Sequence, residues 1–111
     1  MGWTVETLNE TVDAELEALP DDMQARLVWI SNLIESLGLE KVGLPYVRHL
    51  EEKLWEIRIT GRGGIARALY VTATRRRVVI LRVFVKKTQK TPRREIELAL
   101  KRAEEVKHDK D

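Results

Sequence analysis

Residues 54–85, LWEIRITGRGGIARALYVTATRRRVVILRVFV, decide the fold, because their apolar side chains recur with the period of two that belongs to β-strands. In Leu54–Ile59, residues Trp55, Ile57 and Ile59 share one face and Leu54, Glu56 and Arg58 the other, which predicts Trp55 in the core. The glycines of T60-G-R-G-G64 supply a turn into I65-A-R-A-L-Y-V71. T72-A-T-R-R-R77 turns the chain again into V78-V-I-L-R-V-F-V85, whose nearly continuous apolar run suits a central strand. Three strands with short connections favour an antiparallel meander.

Outward from this core the pattern changes period. Upstream, Trp3, Val5 and Thr7 alternate with polar residues as in a short strand. Asn9 can cap a helix from Glu10 with Val12, Leu16 and Leu19 on one stripe. Pro20 resists continuation, and Asp21 is suited to cap a second helix in which Met23, Leu27, Ile30, Ile34 and Leu37 form the stripe before Gly38. Residues 38–53 read as an irregular connector, with Val42, Leu44, Val47 and Leu50 available to pack on the core. Downstream, Thr91-Pro92 resembles an N-cap followed by proline at N1, and Ile96, Leu100, Ala103 and Val106 form the stripe of a last helix. Residues 107–111 are expected to fray. The order is β-α-α-β-β-β-α, an α+β fold forming a single domain over 1–111, with one sheet face or edge left for function.

Composition narrows the function. The 111 residues, 43% apolar and 34% charged, suit one modest core under a solvated exterior. There is no cysteine, so disulfides and thiolate metal sites are excluded. No apolar run reaches the roughly 20 residues of a membrane span, and the N-terminal M-G-W-T-V-E lacks a basic leader and the hydroxyl residue of a myristoylation signal, so a soluble, cytoplasmic protein is expected. The net charge of +2 conceals polarity. Residues 1–40 hold one basic and nine acidic residues (net −8), residues 41–94 fifteen and three (+12), and residues 95–111 four and six (−2). The basic middle points to a polyanion or an acidic protein as partner.

Lys86, Lys87, Lys90, Arg93 and Arg94 cluster where the last strand ends and the last helix begins. A helix N-terminus offers free N–H groups to an anion, so a phosphate bound there can meet lysines and backbone donors together. Equally, a lysine pair ends an apolar strand by drawing it into water. Each meander strand also carries an inserted arginine, Arg58, Arg67 and Arg82. Ala66, Ala68 and Gly63-Gly64 leave room around Arg67, whereas Arg82 suits a buried stem paired with an acidic helix residue. Arginine stays protonated and suits neutralising a phosphate transition state. Lys86 or Lys87 can act as general acid, or as base where neighbouring charge lowers its pKa, and Glu56 is the nearest conventional base. The G61-R-G-G64 turn lacks the P-loop's length and Lys-Ser/Thr ending, no residue set has metal-ligand spacing, and neither His49 nor His108 stands out. No cofactor or metal is expected.

Together "LWEIRI", "ARALYV", "VVILRVFVKKTQKTP" and "EIELALKRAEE" resemble the RelE/ParE superfamily of bacterial toxins, most closely its HigB-like, phage-derived branch. The resemblance covers residues 45–107, and the lysine pair followed by T-Q-K-T-P carries it best. It implies the toxin of a type II toxin–antitoxin system, restrained by a cognate antitoxin such as a helix-turn-helix protein. It further implies a metal-independent endoribonuclease that cleaves mRNA, commonly on the ribosome, by attack of the RNA 2′-hydroxyl on the adjacent phosphorus. The residues it assigns to catalysis are Arg58, Arg67, Lys86, Lys87 and Glu56, where Glu56 replaces one of the family's paired basic residues. The RNA-binding set is Arg62, Arg82, Lys90, Arg93, Arg94 and Tyr70. Some relatives carry a tyrosine near the start of the final helix, where this chain has Arg93. A ParE-like gyrase inhibitor, or a noncatalytic basic module that binds RNA or an acidic protein, are the other readings.

Overall fold

The computed structural model describes residues 2–87 and 89–107, so the tail from 108 onward, His108 included, lies outside the described residues. A five-stranded mixed sheet is formed by β1 (Thr4–Thr7), β2 (Val47–Glu51), β3 (Leu54–Gly61), β4 (Gly64–Ala73) and β5 (Arg77–Lys86) in the order β1-β5-β4-β3-β2. Strands β2 to β5 form an antiparallel meander, and β1 pairs with β5 in parallel through Thr4↔Arg77 to Thr7↔Ile80. The three helices are α1 (Glu10–Glu17), α2 (Asp21–Leu37) and α3 (Arg93–Ala103).

The helices sit on opposite faces of the sheet because strand side chains alternate. On one face Ile57, Ile59, Ala66, Ala68, Tyr70 and Ile80 pack against Val12 of α1 and Met23, Leu27, Ile30 and Ile34 of α2. On the other, Leu69, Val71, Val79 and Leu81 pack against Ile96, Ala99 and Ala103 of α3. A bulge between Leu69 and Tyr70 pairings inserts Leu81 and lets β5 keep both Leu81 and Arg82 opposite Leu69. The α3 layer covers only the Leu69–Val71 half of its face. The half that holds Arg58, Ile65 and Lys86 is left to the segment that follows β5.

Helix ends follow local chemistry, in part differently from expectation. Asn9 caps α1, its side chain accepting from the Val12 N–H at 3.1 Å. Pro20, not Asp21, occupies the N-cap of α2, and the neighbouring Asp22 accepts from the backbone N–H of Arg62 at 2.7 Å, tying the β3–β4 turn to the helix. That approach requires glycine at 61, where a Cβ would come within 2.7 Å of Met23 Cγ. Gly38, at φ 92°, ends α2.

The stretch 38–53 corrects the expected irregular connector. It contains a short 3₁₀ turn at Leu39–Lys41 and then the edge strand β2, so the element order has one strand more than β-α-α-β-β-β-α. Val42 and Val47 are buried, but Leu44 is 78% exposed, and Leu37 of the α2 stripe is exposed as well. Trp55 is also corrected. It shares the face of Ile57 but stands at the margin of the sheet, 38% exposed, with its ring 4.9 Å from that of His49. No helix among the described residues is long and apolar enough to cross a membrane.

Candidate functional site

The half of this sheet face beyond α3 brings together residues from three strands. Register places Arg58 opposite Arg67 and Arg67 opposite Phe84, and in the next row Ile65 opposite Lys86. These side chains therefore share one face. Arg58 is exposed, because β2 reaches along β3 only to the Val47↔Ile57 pair and the remaining contact is the Arg58 N–H donating to the carbonyl of Tyr46 at 2.7 Å. Among the described residues its guanidinium has no hydrogen-bonding or ion-pair partner. It lines a shallow depression of about 500 Å³ with Gly64, Ile65, Lys86, Lys87 and Gln89. A second depression of about 240 Å³ adjoins it, shares Arg58, and reaches Arg48, Glu56 and Arg67.

Arg67 is placed quite differently from its partner. It is 2% exposed and Glu56 1%. The Arg67 Nη1 donates to Glu56 Oε2 at 2.5 Å and to Thr91 Oγ1 at 3.0 Å, while Nη2 donates to the Gln89 carbonyl at 3.2 Å. Thr91 in turn donates to Glu56 Oε1 at 3.0 Å, and Arg48, the cross-strand neighbour of Glu56, reaches Glu56 Oε2 at 3.3 Å from the solvent side. The room expected around Arg67 is absent because Ala66 and Ala68 project to the opposite face, and residues 89–91 lie over the arginine. Thr91 is thus bound to an ion pair instead of capping α3, whose N-cap is Pro92. A buried pair of this kind holds its geometry because removing either member strands a charge.

The consequence for Lys86 is electrostatic. Partial burial, then the positive charges of Arg67 and Arg58, hold its pKa below the ordinary lysine value, with Glu56 opposing them. Lys87 beside it is exposed. A lysine that loses its proton more readily, an exposed arginine and an exposed lysine around one depression can together accept a proton, neutralise a phosphate and donate a proton.

The remaining candidates divide. Arg62, Lys90 and Arg94 are exposed. Arg93 is exposed but paired with both carboxylate oxygens of Glu51, at 2.6 and 3.0 Å, which raises its own pKa and lowers that of Glu51. Arg82 is half-buried between helices, 2.9 Å from Glu15 and 2.7 Å from Glu95, and its bond to Glu95 raises its pKa. Tyr70, expected on the RNA-binding surface, lies fully buried on the α1–α2 face, where burial raises the pKa of its hydroxyl. Tyr70 is therefore not a surface contact, Arg82 is held by two carboxylates, and both Glu56 oxygens are already engaged by Arg67, Arg48 and Thr91. Arg48, Gln89 and Thr91 were not anticipated. Each partners the Glu56–Arg67 pair, and pairing could be assigned only once residues 47–51 were recognised as a strand and residues 89–91 as a cover.

A fold of this kind is found among solved structures. In the crystal structure of an archaeal RelE–RelB complex from Pyrococcus horikoshii OT3, a chain 21% identical matches over 77% of this chain and 96% of its own length, with a TM-score of 0.55. The present chain thus has the RelE-like α+β fold. The family model of phage-derived Gp49-like proteins (DUF891) matches residues 14–104, and the chain belongs to that family. No curated protein matches it.

Proposed function

We propose that the chain is the toxin of a type II toxin–antitoxin pair, HigB-like within the RelE/ParE superfamily, and that it acts in the cytoplasm as an endoribonuclease on mRNA, with the ribosome as a further partner. Membership of the Gp49-like family and the likeness to a protein crystallised with RelB support a toxin restrained by an antitoxin. The observation that carries the reaction is the convergence of Arg58, Lys86 and Lys87 on one depression, where burial and the charges of Arg67 and Arg58 favour loss of the Lys86 proton.

In this mechanism the neutral Lys86 amine takes the proton of the RNA 2′-hydroxyl as that oxygen attacks the adjacent phosphorus. Arg58 neutralises the charge that grows on the phosphoryl oxygens. Lys87 gives its proton to the departing 5′-oxygen. The new P–O2′ bond and the broken P–O5′ bond leave a 2′,3′-cyclic phosphate and a free 5′-hydroxyl, and DNA, which has no 2′-hydroxyl, is not a substrate. Arg67 stays in the set as a positioning residue, since it holds the Gln89–Thr91 segment and adds to the field at Lys86. Glu56 supports Arg67 and takes no proton.

Purified protein is tested on RNA with and without ribosomes. Arg58→Ala and Lys86→Ala each lose on the order of 10²-fold or more in cleavage rate while circular dichroism is unchanged. Cleavage undiminished in both variants overturns the assignment. The sequestering of Arg67 and the pairing of Arg93 favour one second reading, a noncatalytic RNA binder, and this reading requires binding with the RNA left intact.

A further inference from the structure

We propose that Arg26, Trp29 and Tyr46 form a second RNA subsite, which takes an unpaired base and its phosphate from the strand flanking the scissile bond. The inference rests on the reading of this chain as an RNA-cleaving protein. Arg26 is the single basic residue in the acidic stretch 1–40. Its guanidinium lies 4.6 Å from the ring of Trp29 and 5.6 Å from that of Tyr46, and the two rings meet edge to face at 5.5 Å and 75°. Aromatic faces attract a guanidinium without neutralising it. Among the described residues no carboxylate pairs with Arg26, and its Nε is buried without a hydrogen-bond partner, so the rings hold it in place and its charge stays available.

Trp29 remains 43% exposed beside this cation. Arg26, Trp29, Thr60, Gly61 and Arg62 line a broad depression of about 530 Å³. Asp22 borders it too, and its carboxylate accepts from the Arg62 backbone N–H. Two cations thus face one acid. The depression lies on the α2 side of the sheet, around the free margin of β3 from the Arg58 rim, and residues 58 to 61 span that margin beyond the end of β2, roughly 10 Å at 3.3 Å per residue. Tyr46 joins the two directly, because its carbonyl accepts from the Arg58 N–H and its ring meets Trp29.

An exposed tryptophan flanked by arginines suits single-stranded nucleic acid, in which each base offers a face to stack on and each phosphate a charge. A docking protein would be better served by a contiguous apolar face than by an arginine with no carboxylate partner. The subsite is indifferent to base identity, because stacking and charge carry no hydrogen-bond code.

The full chain is titrated with a fluorescein-labelled 2′-O-methyl RNA oligomer, which lacks the nucleophile and stays intact, and anisotropy is read at several salt concentrations. Trp29→Ala weakens binding about tenfold with little change in salt slope. Arg26→Gln weakens it and lowers the slope by about 0.7, the share of one phosphate contact in a single strand. Unchanged melting temperature shows that both variants are folded, and Trp29→Phe recovers part of the affinity. If the unaltered chain binds the oligomer and both variants bind equally well, the subsite is wrong while the RNA reading stands. If the unaltered chain does not bind, both fall. Loss of antitoxin binding with unchanged RNA affinity assigns the surface to protein instead and overturns the proposal.

Discussion

Arg58 and Arg67 are cross-strand partners on one side of one sheet, and they inhabit opposite environments. Arg67 is closed in by Glu56, Thr91 and the Gln89 carbonyl, whereas Arg58 stands in solvent at the rim of a depression shared with Lys86 and Lys87. The difference arises from the segments around them. Residues 89–91 fold back across β4, and β2 stops one pair short of Arg58. An arginine inserted into an apolar strand is therefore not a functional signal by itself. What distinguishes a binding arginine from a structural one is whether a carboxylate and a covering segment have already claimed it.

The contrast is broken most severely at the buried member. Glu56→Ala leaves Arg67 as an uncompensated buried charge and costs about 3–5 kcal/mol in urea unfolding, while the paired change Glu56→Leu with Arg67→Met recovers most of it. A loss under about 1 kcal/mol would show that the Glu56 and Arg67 environments are less distinct than described. At the exposed member the same experiment gives the reverse pattern. Arg58→Ala shifts stability by no more than about 0.5 kcal/mol while cleavage falls as described above.

Lys86 sharpens the comparison, because it senses both arginines. With its pKa lowered in the folded chain, the unfolded chain binds more protons between that value and the ordinary ~10.4, so folding stability rises with pH across this window. Cleavage rises with pH through a midpoint below the ordinary lysine value. Arg58→Ala removes one positive neighbour and moves the Lys86 midpoint upward, which can be read from its side-chain NMR signals as well as from the rate. A midpoint that does not move denies the coupling. The smallest effect is expected at Arg93, an exposed arginine paired with Glu51 and Glu97. Arg93→Ala leaves the melting temperature unchanged within error, as most surface pairs would, and a clear drop would show that pairing at the surface matters here as much as burial.

Much of this was legible in the residues. The period of two in 54–85, the helical stripes at Val12 and Met23 through Ile34, and the glycine-rich turn before Ile65 led to the right elements because packing and local preference agree there. β2 escaped notice for two reasons. A bulge between His49 and Glu51 breaks its alternation, and the turn into β3 places Glu52 at φ 52° where glycine or asparagine would have announced it. Trp55 and Tyr70 are cross-strand partners on one face, so alternation gives both the same side, but it does not say that the central strand β4 is covered more deeply there than β3, one strand from the edge. The basic rim at Arg58, Lys86 and Lys87 could be read from charge. The enclosure of Arg67 could not, since its partners at 56, 89 and 91 are distant in sequence and Thr91 carries the signature of a cap.

The central claim is that the open rim of Arg58, Lys86 and Lys87 is where RNA reacts. It is tested most directly by mapping the 5′ ends of cellular mRNA after brief induction of the chain and of its Arg58→Ala and Lys86→Ala variants. Codon-phased cuts that bear 5′-hydroxyls in the first case and are absent in both variants are the expected result. Intact mRNA after induction of the unaltered chain, or the same cuts in all three, would contradict it.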